Sequence, residues 1–414
     1  MQYKVLFKRC LLAIVVMFVV TSLQAQREMK TINDNWEFRK SIDESWESVN
    51  LPHTFNIDAY QQRNYYQGKG FYRRTLVLPE IVAERRYYMK IDAASKAANI
   101  RVNGKEVGSH VGGYTACIVD ITEYIRKENL IEITVDNGRK DITPISADFT
   151  FWGGIYRDVW LISTPKQHFN MSNMGSDGIF ISTPVVNEKR GVLKVKCEVT
   201  NDSHESSILE VRSAIYSPQG KLLQTIKQKQ KLKSGETYIF ENTSGAIESP
   251  DLWSPETPSL YLVKTTLVDP KSGKLLDEKN HKVGFRWFTF DGSKGFFLNG
   301  KSYKLRGLNR HQDQAPAGVA LDDEAHRRDI FLMKELGCNF IRISHFPQDD
   351  AILEMCDELG LLAWEEIPII NIVPNTPGYD DNCEYNLREM IRQHYNHSSV
   401  ITWGYMNEIL LTAP

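Results

Sequence analysis

The segment Trp403-Gly404-Tyr405-Met406-Asn407-Glu408 sets a carboxyl group beside a side-chain amide. The pair fits a general acid of glycoside hydrolysis, with the amide offered to a sugar hydroxyl. Such an acid has to keep its proton at neutral pH. An apolar pocket or a nearby negative charge must therefore raise its pKa, and Trp403 and Tyr405 are candidates to line that pocket. Three further segments carry ionisable groups: Asn309, Arg310, His311 and Asp313; Arg342, Ser344 and His345; and the adjacent Glu365 and Glu366.

All four segments follow short apolar runs that read as strands. Lys304-Leu305-Arg306-Gly307, Phe340-Ile341-Arg342-Ile343, Leu361-Leu362-Ala363-Trp364 and Val400-Ile401-Thr402-Trp403 alternate with helical stripes. Ile330, Met333 and Leu336 form one stripe, closed by Gly337. Ile352, Met355 and Leu359 form another, closed by Gly360. Leu387, Met390, Ile391 and His394 fall at i, i+3, i+4 and i+7. Acidic Asp322, Asp323 and Glu324 suit the start of the first helix. Strand and helix in strict alternation imply parallel strands with helical crossovers. In such a fold the C-terminal ends of the strands form the active rim. Four successive strand ends carrying ionisable groups therefore predict one shared rim.

Upstream, residues 28–165 read as short strands and turns with no helical period. Ile100-Arg101-Val102 runs into Asn103-Gly104, a strong two-residue hairpin signal, and a β-sandwich of jelly-roll type is expected. Residues 166–285 stay all-β, with clean alternation from Val192 to Val199, and suggest an immunoglobulin-like sandwich. The predicted order is a jelly-roll sandwich, a second sandwich, and an α/β segment from 286 to 414.

Several longer motifs resemble glycoside hydrolase family 2, and within it the β-galactosidases. Asn396-His397-Ser398-Ser399-Val400 leading to Asn407-Glu408 is similar to one family signature. Asn339 to Pro347, continuing to Cys356-Asp357-Glu358-Leu359-Gly360-Leu361, is similar to the other. Arg306 to Asp313, Trp152 to Val159 and Gly68 to Arg74 also match. The Arg310-His311-Gln312-Asp313 and His345-Phe346-Pro347-Gln348 segments lean towards galactosidases rather than glucuronidases or mannosidases. The resemblance implies a retaining hydrolase of terminal β-D-galactosides. It makes Glu408 the acid/base and Asn407 a ligand of the 2-hydroxyl. His311 and His345 contact the sugar, Arg342 orients the nucleophile, and Asp148 reaches in from the first sandwich to bind sugar hydroxyls. It puts the nucleophilic Glu on a seventh strand. The sequence ends at Pro414, so the nucleophile is expected to be missing, the barrel to be about half of an eight-stranded one, and the chain alone to be inactive. Glu365 and Glu366 follow the third strand and are not candidates for that role. Family members that need metal carry a Glu-x-His pair after the third strand. Ile370-Asn371-Ile372 stands there instead, so no metal and no cofactor are expected. The alternatives are a β-glucuronidase or β-mannosidase of the same family, or a non-catalytic carbohydrate-binding protein.

The rest of the sequence narrows the setting. Lys4, Lys8 and Arg9 precede an apolar run from Cys10 to Val20 and the small-polar stretch Thr21 to Gln26. This is the layout of an export signal, too short to span a bilayer. A periplasmic or extracellular protein, with no membrane span after cleavage, is expected. The six cysteines include no CxxC pair, which argues against a disulfide framework or a zinc site. The 414 residues carry 50 basic and 52 acidic side chains, a net charge of −2. That balance is unsuited to binding nucleic acid through bulk charge. The family resemblance also makes a homo-oligomer possible.

Overall fold

A computed structural model describes residues 26–409. The export signal expected over 1–25 lies outside the described residues.

Two antiparallel sheets build the first sandwich. One holds the strands Glu28–Thr31, Val159–Pro165, Arg85–Ile91 and Cys117–Asp120, in that spatial order. The other holds Glu47–Val49, Trp36–Arg39, Lys69–Val77, Glu128–Asp136, Ala97–Val102 and Lys105–Val111. Alternation explains the layering. In Glu128–Asp136, Ile131, Ile133 and Val135 are buried while Leu130, Glu132 and Thr134 face outward or are half-buried. Trp36, Phe38, Met89 and Ile100 close the core, each contributing about 1.5–3 kcal/mol by burial. The predicted hairpin is present. Val102 pairs with Lys105, and Asn103 and Gly104 take φ of 53° and 78°. Two consecutive left-handed residues are what a tight hairpin turn demands.

The second sandwich packs a sheet centred on Arg190–Asn201 against the sheet Leu222–Leu232, Ser207–Tyr216, Tyr261–Val268, Leu275–Val283. Its core includes Phe169, Val195, Phe240 and Phe285. Alternation in Arg190–Asn201 is interrupted at Glu198, which is buried because Asn173 donates to both its carboxylate oxygens at 2.8 Å.

A small antiparallel meander, Phe288–Asp291, Gly295–Leu298 and Lys301–Ser302, precedes the α/β segment. Four parallel strands then lie side by side in chain order: Gly307–Arg310, Phe340–Ile343, Leu362–Glu366 and Val400–Gly404. The helices Asp323–Glu335, Asp350–Leu359 and Tyr379–Gln393 connect them. Asp322 caps the first helix, its side chain accepting from the Ala325 N–H, and Asp349 does the same for the second through Ala351. Gly360 ends the second helix in the left-handed conformation.

Two expectations are corrected. The first parallel strand begins at Gly307 rather than Lys304. Leu336 is 74% exposed and leaves the buried stripe to Ile330 and Met333, because it sits at the helix C-cap where the chain turns away. All five described cysteines are free thiols.

Candidate active site

The second, third and fourth parallel strands deliver a connected polar cluster at their C-terminal ends. Arg342 is its centre. Its Nε donates to Glu366 Oε2 at 3.1 Å, and its Nη2 donates to Glu366 Oε1 and to Asn407 Oδ1, each at 2.7 Å. His345 Nδ1 lies 2.8 Å from Glu366 Oε1. The guanidinium also covers the Trp364 ring, 4.9 Å from its centroid. His311 joins through its ring, 5.2 Å from that of His345. Partial desolvation, followed by the neighbouring His345, holds the His311 pKa below its ordinary value, with Asp313 and Asp148 opposing. Asp148 thus stands close enough for its charge to act on His311, on an exposed part of the loop from the first sandwich.

Asn407 is held by backbone as well as side chain. Its N–H donates to Ile369 O at 2.8 Å, and the Asn371 N–H donates to its carbonyl at 3.1 Å. The segment Ile370-Asn371-Ile372 therefore serves as a backbone rail for Asn407. Gly404, one step before this turn, has no room for a side chain: a Cβ there would sit 2.3 Å from Trp364 Nε1 and 2.7 Å from Glu366 Cβ. Glu408 follows with φ of 49° and is exposed. It makes no hydrogen bond among the described residues.

Sequence reasoning grouped Glu365 and Glu366 on one rim. The strand's two-residue period puts them on opposite faces. Glu366 faces the cluster. Glu365, fully buried, faces the helices, where both its oxygens meet His394 Nδ1 at 2.9 and 2.8 Å. His394 Nε2 continues to Asp350 Oδ1 at 3.2 Å. Burial opposes the charged ring, but Glu365 and Asp350 outweigh it and raise the His394 pKa to about 10. Arg310 also leaves the rim. It is buried and bound by Asp329 at 2.7 Å, with Gln348 and His326 beside it. Tyr405 is 56% exposed, and Trp403 packs between two apolar clusters of the barrel rather than over Glu408.

Phe149 is a site residue that sequence reasoning passed over. Its ring stacks on His345 at 6.0 Å and tilts towards His311 at 5.9 Å. The signal was its place beside Asp148 in the aromatic run Phe149-Thr150-Phe151-Trp152. Glu366 was seen, but its partners were not.

Most of the long motif residues turn out to be joinery. Asn396 Oδ1 accepts from Ile181 N–H and its Nδ2 donates to Ile179 O, tying the barrel to the second sandwich at 2.8 and 2.9 Å. His397 Nδ1 meets Asp357 at 2.7 Å, and Ser398 Oγ accepts from Gly284 N–H at 2.6 Å. Arg157 donates to Pro347 O at 2.8 Å and to Tyr114 O at 3.0 Å, joining the first sandwich to the barrel. Gln312 and Gln348, members of the two segments that leaned the sequence towards galactosidases, are each 1% exposed. Gln312 receives Arg157 and Gln348 bonds Arg310 and Ser344 O. Neither is available to a sugar. Among the described residues, no group of three or more His, Cys, Asp or Glu side chains is arranged to hold a metal ion.

Two β-sandwiches are thus followed by parallel βα units, with an Asn-Glu pair beyond the fourth strand. Residues 13–165 match the family description "Glycosyl hydrolases family 2, sugar binding domain", residues 177–286 match "Glycosyl hydrolases family 2", and residues 291–413 match "Glycosyl hydrolases family 2, TIM barrel domain". The chain belongs to glycosyl hydrolase family 2. The crystal structure of a Bacteroides uniformis β-glucuronidase is 60% identical and superposes with a TM-score of 0.91, over 93% of this chain and 47% of that one. A putative β-glucuronidase of Formosa agariphila is 36% identical across 398 residues, 92% of this chain and 46% of the relative. A β-galactosidase of Thermoanaerobacterium thermosulfurigenes is 34% identical across 397 residues, 91% of this chain and 54% of the relative. The chain thus spans about half the length of these relatives.

Proposed function

We propose that the protein acts as a retaining β-glycosidase, with Glu408 as acid/base. The observation that carries this reading is the hydrogen bond from Arg342 to Asn407 beside Glu408. It ties the residue next to the acid into a cluster of sugar-binding type. Asn407 holds the 2-hydroxyl, and His311, His345 and Asp148 hold other hydroxyls of the same ring. Glu408 protonates the glycosidic oxygen and later deprotonates the attacking water. A second carboxylate about 5–5.5 Å away attacks the anomeric carbon. Neither Glu365 nor Glu366 suits that part, since one is tied to His394 and the other to Arg342 and His345. The second carboxylate is expected on a seventh barrel strand, which falls outside the four parallel strands of the structure.

For the substrate we favour a terminal β-D-glucuronide, supported by the 60% identity to the Bacteroides uniformis enzyme. A β-D-galactoside is the second reading, supported by the 34% identical β-galactosidase. Within the two segments that leaned towards galactose by sequence, Gln312 and Gln348 lend it no weight, because both are buried. The test assays the intact protein on aryl β-glucuronide, β-galactoside and β-mannoside. Turnover is expected on the glucuronide, and turnover on the galactoside alone would reverse the order. Glu408→Gln should lower kcat by about 10²–10⁴ on a poor leaving group, and much less on an activated one. Equal losses on both would sink the acid role.

A further inference from the structure

We propose that Glu366 is the positioning residue of this site: one buried carboxylate sets the hydrogen-bond polarity of both His345 and Asn407 towards the sugar. The proposal rests on the glycosidase reading above and adds to it a residue with no sugar contact of its own.

Glu366 is 1% exposed. It lies under the fourth strand, where a Cβ at Gly404 would come within 3.1 Å of Glu366 Oε2. Burial of a carboxylate is costly unless it is fully engaged. Here Arg342 donates to both oxygens, and His345 adds a third bond to Oε1. An ionised carboxylate can only accept, so each partner must be the donor.

The consequence for His345 is a fixed tautomer. Its Nδ1 has to carry the hydrogen that reaches Glu366 at 2.8 Å. The Arg342 Nη2 at 3.4 Å from the same nitrogen is also a donor, so it makes no hydrogen bond there. In the neutral ring Nε2 is then a lone-pair acceptor. Phe149, stacked on the ring, limits rotation.

The consequence for Asn407 is the opposite polarity. Glu366 takes up Nε and part of Nη2 and so fixes the plane of the guanidinium. Arg342 Nη2 then presents a donor to Asn407 at 2.7 Å. The atom facing it must be the amide oxygen, which leaves Nδ2 as a donor on the other side. A single carboxylate thereby makes one side chain an acceptor and another a donor. A sugar ring, whose hydroxyls both donate and accept, needs such a pair. Glu365 cannot substitute, since its oxygens are committed to His394 across the sheet.

The intact protein tests this with Glu366→Gln, which keeps the shape but turns an N–H2 towards donors. On an aryl β-glycoside, kcat is expected to fall by about 10²-fold, the cost of small misplacements of catalytic groups. KM should stay within about threefold, and the loss should be equal for activated and poor leaving groups, unlike Glu408→Gln. Formate should partly restore turnover to Glu366→Ala by filling the vacated carboxylate site. A Glu366→Gln variant with kcat within twofold of wild type, or with a raised KM and intact kcat, would overturn the proposal. If the variants fail to fold, the nitrogen NMR shifts of His345 in the wild-type protein decide. A neutral ring protonated at Nδ1 supports the proposal, and one protonated at Nε2 overturns it. Lack of any wild-type turnover counts against the glycosidase reading instead, and the His345 tautomer then judges the positioning network by itself.

Discussion

The two faces of the third parallel strand hold two carboxylate networks built from adjacent residues, and they are organised for opposite ends. On the helix side, Glu365, His394 and Asp350 form a chain that starts at a fully buried carboxylate and runs out through His394 to the exposed Asp350. On the rim side, Glu366, Arg342, His345 and Asn407 are linked just as tightly, yet Arg342 and His345 keep 18% and 13% side-chain exposure at the strand ends. A buried carboxylate paired with a ring of the next helix ties strand to helix. One anchored only at its root gives fixed directions to groups that meet a ligand. The lesson is that carboxylates one residue apart should not be assigned a role from strand position alone.

The largest expected effect breaks the helix-side network. Glu365→Ala removes the nearer partner of the buried His394, leaving only Asp350 at 3.2 Å, and should cost about 3 kcal/mol of stability, read as a lower urea midpoint. Turnover per folded molecule should fall far less than in Glu366→Gln. A Glu365→Ala variant as stable as wild type would erase the distinction between the two faces.

A smaller effect concerns pH. His394 has a folded-state pKa raised to about 10, against about 6.5 in an unfolded chain. A raised pKa means that the folded form holds the proton more tightly. Its stabilisation is fully present below about pH 6.5 and is lost as pH rises towards 10. Urea midpoints should therefore decline between pH 7 and pH 9.5 in wild type. The decline should be clearly shallower in His394→Gln, and identical slopes would remove His394 from the account.

The smallest effect is a control. Arg388 and Glu384 pair at 2.7 Å on an exposed helix surface. Arg388→Ala should shift stability by no more than about 0.5 kcal/mol and leave turnover unchanged.

Much of the architecture was readable because local rules agree with it. Asn103-Gly104 can hardly be anything but a tight turn, and the helical stripes of Ile352 and Met390 are buried as periodicity requires. The site residues His311, His345, Arg342 and Asn407 do converge, and Asp148 approaches them through its charge. What escaped the sequence depends on through-space partners. Facing across a strand separates Glu365 from Glu366, but only the positions of His394 and Arg342 reveal which is structural. Gln312 and Gln348 sit in motif segments that leaned towards galactosidases, and only the positions of Arg157 and Arg310 reveal them as buried partners. Phe149 matters only because a loop of another domain lies over His345.

The third helix ends in Gln393, whose side chain bonds Ala116 N–H and Ala116 O in the first sandwich and Met174 O at the edge of the second. Asn396 adds its own pair of bonds to the second sandwich, and four residues later the strand leading to Glu408 begins. The fourth parallel strand is thus registered against both neighbouring modules just before it enters the barrel. Chimeras that exchange either sandwich for one from a distant relative would have to reproduce the backbone at 116, 174 and 179–181. A donor module that folds well but offers those carbonyls a fraction of an ångström away would yield a hybrid in which Glu408 is misaimed.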